Sequence, residues 1–286
     1  MATAAAIAEI AAPVRRRRHI DPVIVGASVL IGALVVVALL APWISPYDPN
    51  SANILATNQG VSAAHWLGTD PSGRDVLSRL IWGARLSLLG PALIILIATT
   101  LGTVLAIASA WIGGLFDQVV SRVMDILFAF PGLVLAMVAV AMFGSAPIAP
   151  VVALSIAYTP YITRILRSAS LRERNLPYIS ACYVGGVPAR SICSRHLLPN
   201  IFPLLLTQAA LSFGSALVTL AAVSYLGLGV QPPTATWGLM VATGQTAILA
   251  GHPGASIASG ILIIVTVVAF NLLGDRLANR HAVQGL

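Results

Sequence analysis

The sequence predicts an all-α integral membrane protein of six transmembrane helices, with both termini cytoplasmic. Three observations predict it. Of 286 residues, 58% are apolar and 9% charged, against about 25% charged in soluble domains, and mean hydropathy is +0.91. Long uncharged runs recur, each near the ~20 residues a helix needs to cross the hydrocarbon core. The basic residues gather in alternate connections, as the positive-inside rule requires. All sixteen are arginine, which excludes lysine chemistry such as a Walker A lysine or a Schiff base. Membrane orientation explains the net charge of +7 without nucleic acid as a partner.

The first span is the run 23–42. Arg15–Arg18 precede it, as in a secretory signal, but a signal has an apolar core of about 7–15 residues and a small-residue cleavage site. This run is longer and ends in Pro42-Trp43, so residues 22–44 read as an uncleaved helix behind a cytoplasmic tail, 1–21. An external loop, 45–85, leads to a core of five further helices, 86–286. The second span lies in the uncharged run 86–116. The next run, 126–163, would extend about 57 Å as one helix, so Gly144, Pro147 and Pro150 divide it into spans three and four. After Arg195 no Asp, Glu, Lys or Arg occurs until Asp275. The strings GVQPPTATWG and AGHPGAS break that length into spans five and six, and the short piece 239–250 reads as re-entrant or surface-lying. This count places thirteen of the sixteen arginines inside (Arg15–Arg18, Arg122, Arg164, Arg167, Arg172, Arg174, Arg190, Arg195, Arg276 and Arg280). Arg74, Arg79 and Arg85 fall outside or at that interface. Ala106, Ala110 and Gly114, four apart, suit close helix packing.

The connection SLRERNLPYISACYVGGVPARSICSRHLLPN, 170–200, is therefore cytoplasmic. Pro177 suits a first helical turn with Asn175 as its cap. Tyr178 and Cys182 share a face, as do Ile179 and Tyr183. Gly185-Gly186 stops the helix, Pro188 opens a second with Ile192 and His196 on one side, and Pro199 ends that one where the fifth span begins. A helix of about eight residues is marginal alone, so its apolar face needs the membrane surface, the rest of the chain or a groove on another protein. Cys182 and Cys193 fit no zinc or redox spacing and read as reduced thiols; Cys193 and His196 alone do not make a metal site.

This stretch resembles the EAA motif of permease subunits in ABC importers: Glu-Ala-Ala, three residues, Gly, nine residues, Ile-x-Leu-Pro. The matching residues are Ser180-Ala181-Cys182, then Gly186, then His196-Leu197-Leu198-Pro199. The glutamate position holds Ser180 and the second alanine Cys182, leaving Arg174, Arg190 and Arg195 as candidates for polar contact. Four more segments, HWLGTDPSGRDVLSRLIWGARLSL (65–88), DILFAFPGLVLAM (125–137), SYLGLGVQPPTATWG (224–238) and AFNLLGDRL (269–277), closely resemble dipeptide and oligopeptide permeases, specifically the subunit with a long first external loop. Nickel and glutathione importers share much of the pattern. The resemblance implies a type I ABC importer permease fold in the bacterial inner membrane. It implies as partners a second, unlike permease, two ABC ATPases that carry ATP and Mg, and an extracytoplasmic substrate-binding protein. It implies that 170–199 is the coupling loop, with Tyr178, Ser180, Ala181, Cys182, Gly186, Arg190, Arg195, His196 and Pro199 at or near the ATPase. The chain itself would hold no cofactor or metal and do no bond chemistry.

In the external loop, Gly68 and Gly73 allow tight turns, and Asp70 and Asp75 flank Arg74 in an expected ion-pair knot. Its functional reading is contact with the binding protein or an external gate; its structural reading is a cap on the bundle. Asp125, near the cytoplasmic end of span three, and Asn271, within span six, are candidates to line the path, since polar groups at membrane depth usually face the bundle interior. Two other classes fit the sequence less well. An intramembrane aspartyl enzyme would pair Asp48 with Asp275, but the topology puts them on opposite sides. An ion-coupled carrier would call for internal repeats and buried ionisable groups, and the sequence has no repeat between its halves and few such groups.

Overall fold

A computed structural model describes residues 21–144 and 148–284, the side chains of 280–284 excepted. The 1–20 tail with Arg15–Arg18, together with Pro147 and the side chains of Arg280 and His281, lies outside the described residues. The regular structure among those described is helical, apart from a single isolated bridge between Thr69 and Asp75. Five helices are long and apolar enough to cross a membrane, or six when a bent pair counts as one span.

Helix α1 (Pro22–Ile44) starts on Asp21, whose side chain accepts from the Val23 N–H at 3.0 Å. Its buried residues are the small Ala27, Ala38 and Ala41, where it packs on α2 (Val76–Ile112) and α10 (Gly254–Gln284). Helix α2 begins ten residues before the uncharged run suggested. Asp75 caps it, accepting from the Ser78 N–H at 2.8 Å. The two arginines in its first turns have homes: Arg79 is buried, and Arg85 lies over the Trp82 ring at 5.3 Å. A charge that finds a partner inside the bundle hides a helix from a hydropathy reading. Gly113 and Gly114, both at positive φ, end α2 and start α3 (Gly114–Phe128), so Gly114 lies outside the helix that carries Ala106 and Ala110.

Helix α3 bends by 84° into α4 (Gly132–Phe143). Pro131 sits at that elbow and has no N–H to continue the ladder. The hairpin returns through α5 (Ile148–Arg174), which makes the most extensive packing in the fold, against α2. Small residues permit it. Ala98 and Ala106 meet Ile162 and Leu166, all fully buried, and a Cβ on Gly102 would lie 2.9 Å from Ile162 Cγ2. Buried hydroxyls along this contact are spent on their own helices: Thr99, Thr103, Ser155, Thr159 and Thr163 each donate to the carbonyl four residues back.

Helix α6 (Pro177–Val184) is short. Helix α7 (Ala189–Tyr225) then runs unbroken through a π-turn at Cys193–Leu197. Pro199 was expected to end a helix here, and it does not. A proline inside an α-helix loses one bond and clashes with the carbonyl four residues back, here that of Arg195. The ladder widens instead, with the Leu198 N–H donating to Cys193 O, and the helix continues. Two short helices, α8 (Trp237–Thr243) and α9 (Gln245–Leu249), occupy the piece expected to be re-entrant or surface-lying. The first is anchored in the core. Trp237 is fully buried, its backbone N–H donates to Ser87 Oγ at 2.9 Å, and its Nε1–H donates to Leu80 O at 3.1 Å.

Candidate functional site

Tracing the helices places α6, the π-turn and the end of α10 at one end of the bundle. Residues 45–75 and 226–253 are at the other. Asp21 and Arg276, paired at 3.1 Å, join α1 to α10 at the first end.

The helix pair at the first end is built from a buried hinge and an exposed knob. Ile179, Ile192 and Leu197 form a small core with Ile107 and Trp111 of α2. The N-cap of α6 is Leu176, with no side-chain bond, so Asn175 does not cap it; Pro177 at the first position needs no cap for its missing N–H. The turn after α6 closes on Gly186 at φ +77 with the Val187 N–H donating to Cys182 O at 3.1 Å. Outward from this core stand Val184, 87% exposed, and Tyr183, 67% exposed. Ser180, Ala181, Gly186, Arg190, Arg195 and Pro199 are exposed around them. Cys182 and Cys193 are free thiols, half-buried.

Three side chains that the sequence reading had not grouped tie this knob to the spans. Glu173, the sole carboxylate of the 170–200 stretch, accepts from the Tyr178 hydroxyl and from Asn200 Nδ2, the latter at 2.7 Å. Asn200 also donates to the Tyr178 oxygen at 2.7 Å, and His196 meets the Tyr178 ring edge-on at 6.1 Å. The ends of α5 and α7 are thus clasped to α6. Partial desolvation and the Glu173 carboxylate push the Tyr178 hydroxyl up to about 12, so it remains a donor. Arg174 turns inward, donating to Ala110 O and lying over Trp111 at 5.6 Å. It is therefore spent inside the chain rather than offered to a partner, unlike Arg190 and Arg195.

At the other end the expected knot exists with a different cation. Arg79, 1% exposed, pairs with Asp70 at 3.4 Å and donates to Pro49 O at 2.9 Å and Pro233 O at 3.2 Å. Arg74 meets Asp70 through its backbone alone: its N–H donates to Asp70 Oδ1 and its carbonyl accepts from the Asp70 N–H, both at 2.9 Å. Asp75 faces His65 at 2.9 Å and holds Ser78. Sequence adjacency suggested Arg74; the helical turn from Asp75 brings Arg79 over the loop instead. Gly68 and Gly73 have φ of +74 and +71, and a Cβ on Gly73 would sit 1.8 Å from Asn53 O.

Of the two candidates for the path, Asp125 forms an exposed pair with Arg164 at 2.7 Å, and Arg164 lies over Phe128 at 5.0 Å. Asn271 packs on α7 at Gly214, where an added Cβ would meet its Oδ1 at 3.0 Å. The structure does not bring these two together.

Comparison with known proteins accords with this architecture. Residues 98–282 match the family described as binding-protein-dependent transport system inner membrane component, and residues 17–60 match the N-terminal transmembrane domain of oligopeptide transport permease C. A probable D,D-dipeptide transport system permease protein, DdpC, of Escherichia coli K12 is 35% identical over 260 residues, covering 89% of this chain and 85% of that protein. The glutathione transport system permease protein GsiD of Pectobacterium atrosepticum is 36% identical over 262 residues, covering 91% and 86%. A solved structure of the inward-facing MetNI methionine ABC transporter matches with a TM-score of 0.52 at 19% identity, over 72% of this chain and 93% of that one. That likeness concerns the fold.

Proposed function

Because the chain belongs to the family of binding-protein-dependent transport system inner membrane components, we propose that it supplies half of the translocation path of an ATP-driven importer of di- or oligopeptides. It is a multi-pass protein of the bacterial inner membrane and a transport component rather than an ATPase. Its partners in this reading are a second, unlike permease, two ATPases that bind ATP and Mg, and an external substrate-binding protein. Relatives named for D,D-dipeptide and glutathione transport support the peptide cargo; a nickel chelate or another small ligand would use the same scaffold.

The observation that carries the proposal is the knob formed by Tyr183 and Val184. An exposed apolar tip in a helix pair that also exposes Ser180, Arg190 and Arg195, and that is clasped to two spans, is suited to a groove on another protein. With the loop on the cytoplasmic side, ATP-driven closure of the two ATPases moves the knobs, and the clasp at Glu173 carries that motion into α5 and α7. Cargo released by the binding protein then meets a path open to the other side. The knot at Asp70 and Arg79 holds the external loop where the binding protein would dock.

The test is co-purification in mild detergent from the native host, followed by ATPase and uptake assays on wild type and Gly186→Asp. At φ +77 an aspartate strains the turn that sets the knob. A second permease and two ATPases should come down with the wild type, and the variant should shed the ATPases or uncouple them. A chain that purifies alone, or a variant with full coupled uptake, would favour an ion-coupled carrier instead.

A further inference from the structure

A cleft of 600 Å³ lies where α3 bends into α4. Its walls are Phe128, Pro131 and Gly132 of the elbow, Tyr158 and Tyr161 of α5, and a polar stripe on α7. Its depth follows from the helix rise. Ser212 and Ser215 lie ~20–25 Å along α7 from Leu198, and Tyr158 lies ~15 Å along α5 from Ile148. Both positions are well inside the hydrocarbon thickness of ~30 Å. Other clefts along the spans, such as the one between Leu135, Met142 and Val152, are lined almost wholly by carbon.

Two features of this cleft need a polar occupant. The first is the stripe. Ser212, Ser215 and Thr219 recur at helical spacing on the cleft wall; Gln208, one turn earlier and outside the lining, has its Oε1 buried and unpartnered. Ser212 is 4% exposed and lines the cleft, yet among the described residues its hydroxyl has no hydrogen-bond partner. The hydroxyls of Ser215 and Tyr161 likewise have none, whereas Tyr158 and Thr219 meet at 3.2 Å. This separates the stripe from the buried hydroxyls of the α2–α5 contact, which bond to their own helices. The second feature is the start of α4. Its cap is Pro131, with no side-chain bond, and Pro131, Gly132 and Leu133 border the cleft. The first N–H groups of a helix lack intrahelical partners and carry partial positive charge. Backbone broken at membrane depth is tolerated only where protein covers it or a water-filled cavity meets it, and residues 128–131 of the elbow are exposed, with Gly132 half-buried.

We propose that this cleft is a water-filled station on the path that takes the carboxylate end of a peptide-sized ligand. The carboxylate meets the N-terminal amides of α4 and the hydroxyls of Ser212, Ser215 and Tyr161, while the ligand's apolar parts lie on Phe128, Tyr158 and Leu211. The adjacent arginine, Arg164, is already paired with Asp125, so the cleft supplies dipoles and no unpaired cation. Holding an anion by dipoles alone gives a weak, passable station. This deepens the importer reading and rests on it for the direction of transport, though not for the chemistry of the cleft.

The experiment starts from the complete complex with Cys182 and Cys193 replaced by serine. Ser215→Cys and Ser212→Cys are compared with Val138→Cys, a half-exposed position on α4 that lines the apolar cleft. Each is reacted with a membrane-impermeant anionic methanethiosulfonate, with and without excess di-alanine or its C-terminal amide. Entry of a charged reagent into hydrocarbon costs several kcal/mol, so the cleft positions should react on the order of 100-fold faster than position 138. Di-alanine should slow them at least about threefold, a factor within the range of a helix N-terminus, and the amide should not. Equal rates at positions 215 and 138, or equal protection by peptide and amide, would overturn the proposal. Uptake of di-alanine provides a separate arm. Ser215→Trp should abolish it while ATP hydrolysis continues; undiminished uptake counts against the station. If the unmodified complex shows no ATP-driven uptake, the importer reading fails, and the labelling rates still decide the cleft.

Discussion

Arg79→Met removes the cation of the external knot and leaves a side chain of similar length in its place. The wild-type guanidinium makes three polar contacts, with Asp70, Pro49 O and Pro233 O. The methionine keeps the packing and loses all three. Asp70, itself 6% exposed, keeps the N–H groups of Ser72 and Arg74 at 2.8 and 2.9 Å but loses its counter-ion. Removing one partner of a buried ion pair costs about 3–5 kcal/mol. Charge-assisted bonds to carbonyls are worth about 1.5–3 kcal/mol each, so the carbonyl contacts alone account for a loss of that size, and the two figures overlap rather than add. At ~2–4 °C per kcal/mol for a chain of this size class, the unfolding midpoint in detergent should fall by roughly 6–20 °C, read from tryptophan fluorescence. Asp70→Asn keeps both backbone donors and should cost less. A midpoint within ~2 °C of wild type for Arg79→Met would refute the claim that Arg79, rather than Arg74, holds residues 49, 70 and 233 together. A larger loss in Arg74→Met than in Arg79→Met would refute it equally.

Gly102→Val should cost about 1–3 kcal/mol by overpacking, because its first added carbon already meets Ile162 Cγ2 at 2.9 Å. Gly26→Val, with nothing within 4 Å, should not, and the two midpoints compared in one detergent check the α2–α5 contact. The Tyr178 hydroxyl, pushed up to about 12, contributes stability that is fully present below its ordinary value of 10.0 and is lost as pH rises through about 12. An absorbance titration of wild type minus Tyr178→Phe should therefore show its phenolate forming near pH 12; formation near 10 would contradict the Glu173 clasp. Glu173→Ala frees Tyr178 and Asn200 together, and should lower cargo moved per ATP hydrolysed while leaving hydrolysis in place.

The spans and the helix pair were legible because each rests on local chemistry. Uncharged runs are long, Pro177 and Gly186 sit where a helix must begin and end, and the apolar positions of α6 repeat at helical spacing. Features that depend on distant partners were harder to read. Arg79 looked like a loop charge because its partners lie 30 and 154 positions away. Pro199 looked like a terminator because a π-turn is invisible to a rule about proline. Span three read as a single helix, since Pro131 and Gly132 alone do not reveal an 84° elbow. The stripe at positions 208, 212, 215 and 219 was within reach of the same periodicity test that found the apolar faces, applied to polar residues. Asp125 drew attention by its charge, and the uncharged hydroxyls beside it did not.

The unbroken passage from Ala189 to Tyr225 has a mechanical consequence. From Ala189 to Ser212 the rod is ~35 Å long, and the π-turn takes the place of a joint. A continuous helix has no loop to absorb movement at one end, and would pass it on as displacement at the other. Tilting it by about 10° would sweep the far end through about 6 Å on that length, on the scale of a single side chain. The proline that seemed to separate the loop from the span is accommodated, and the two form one continuous helix.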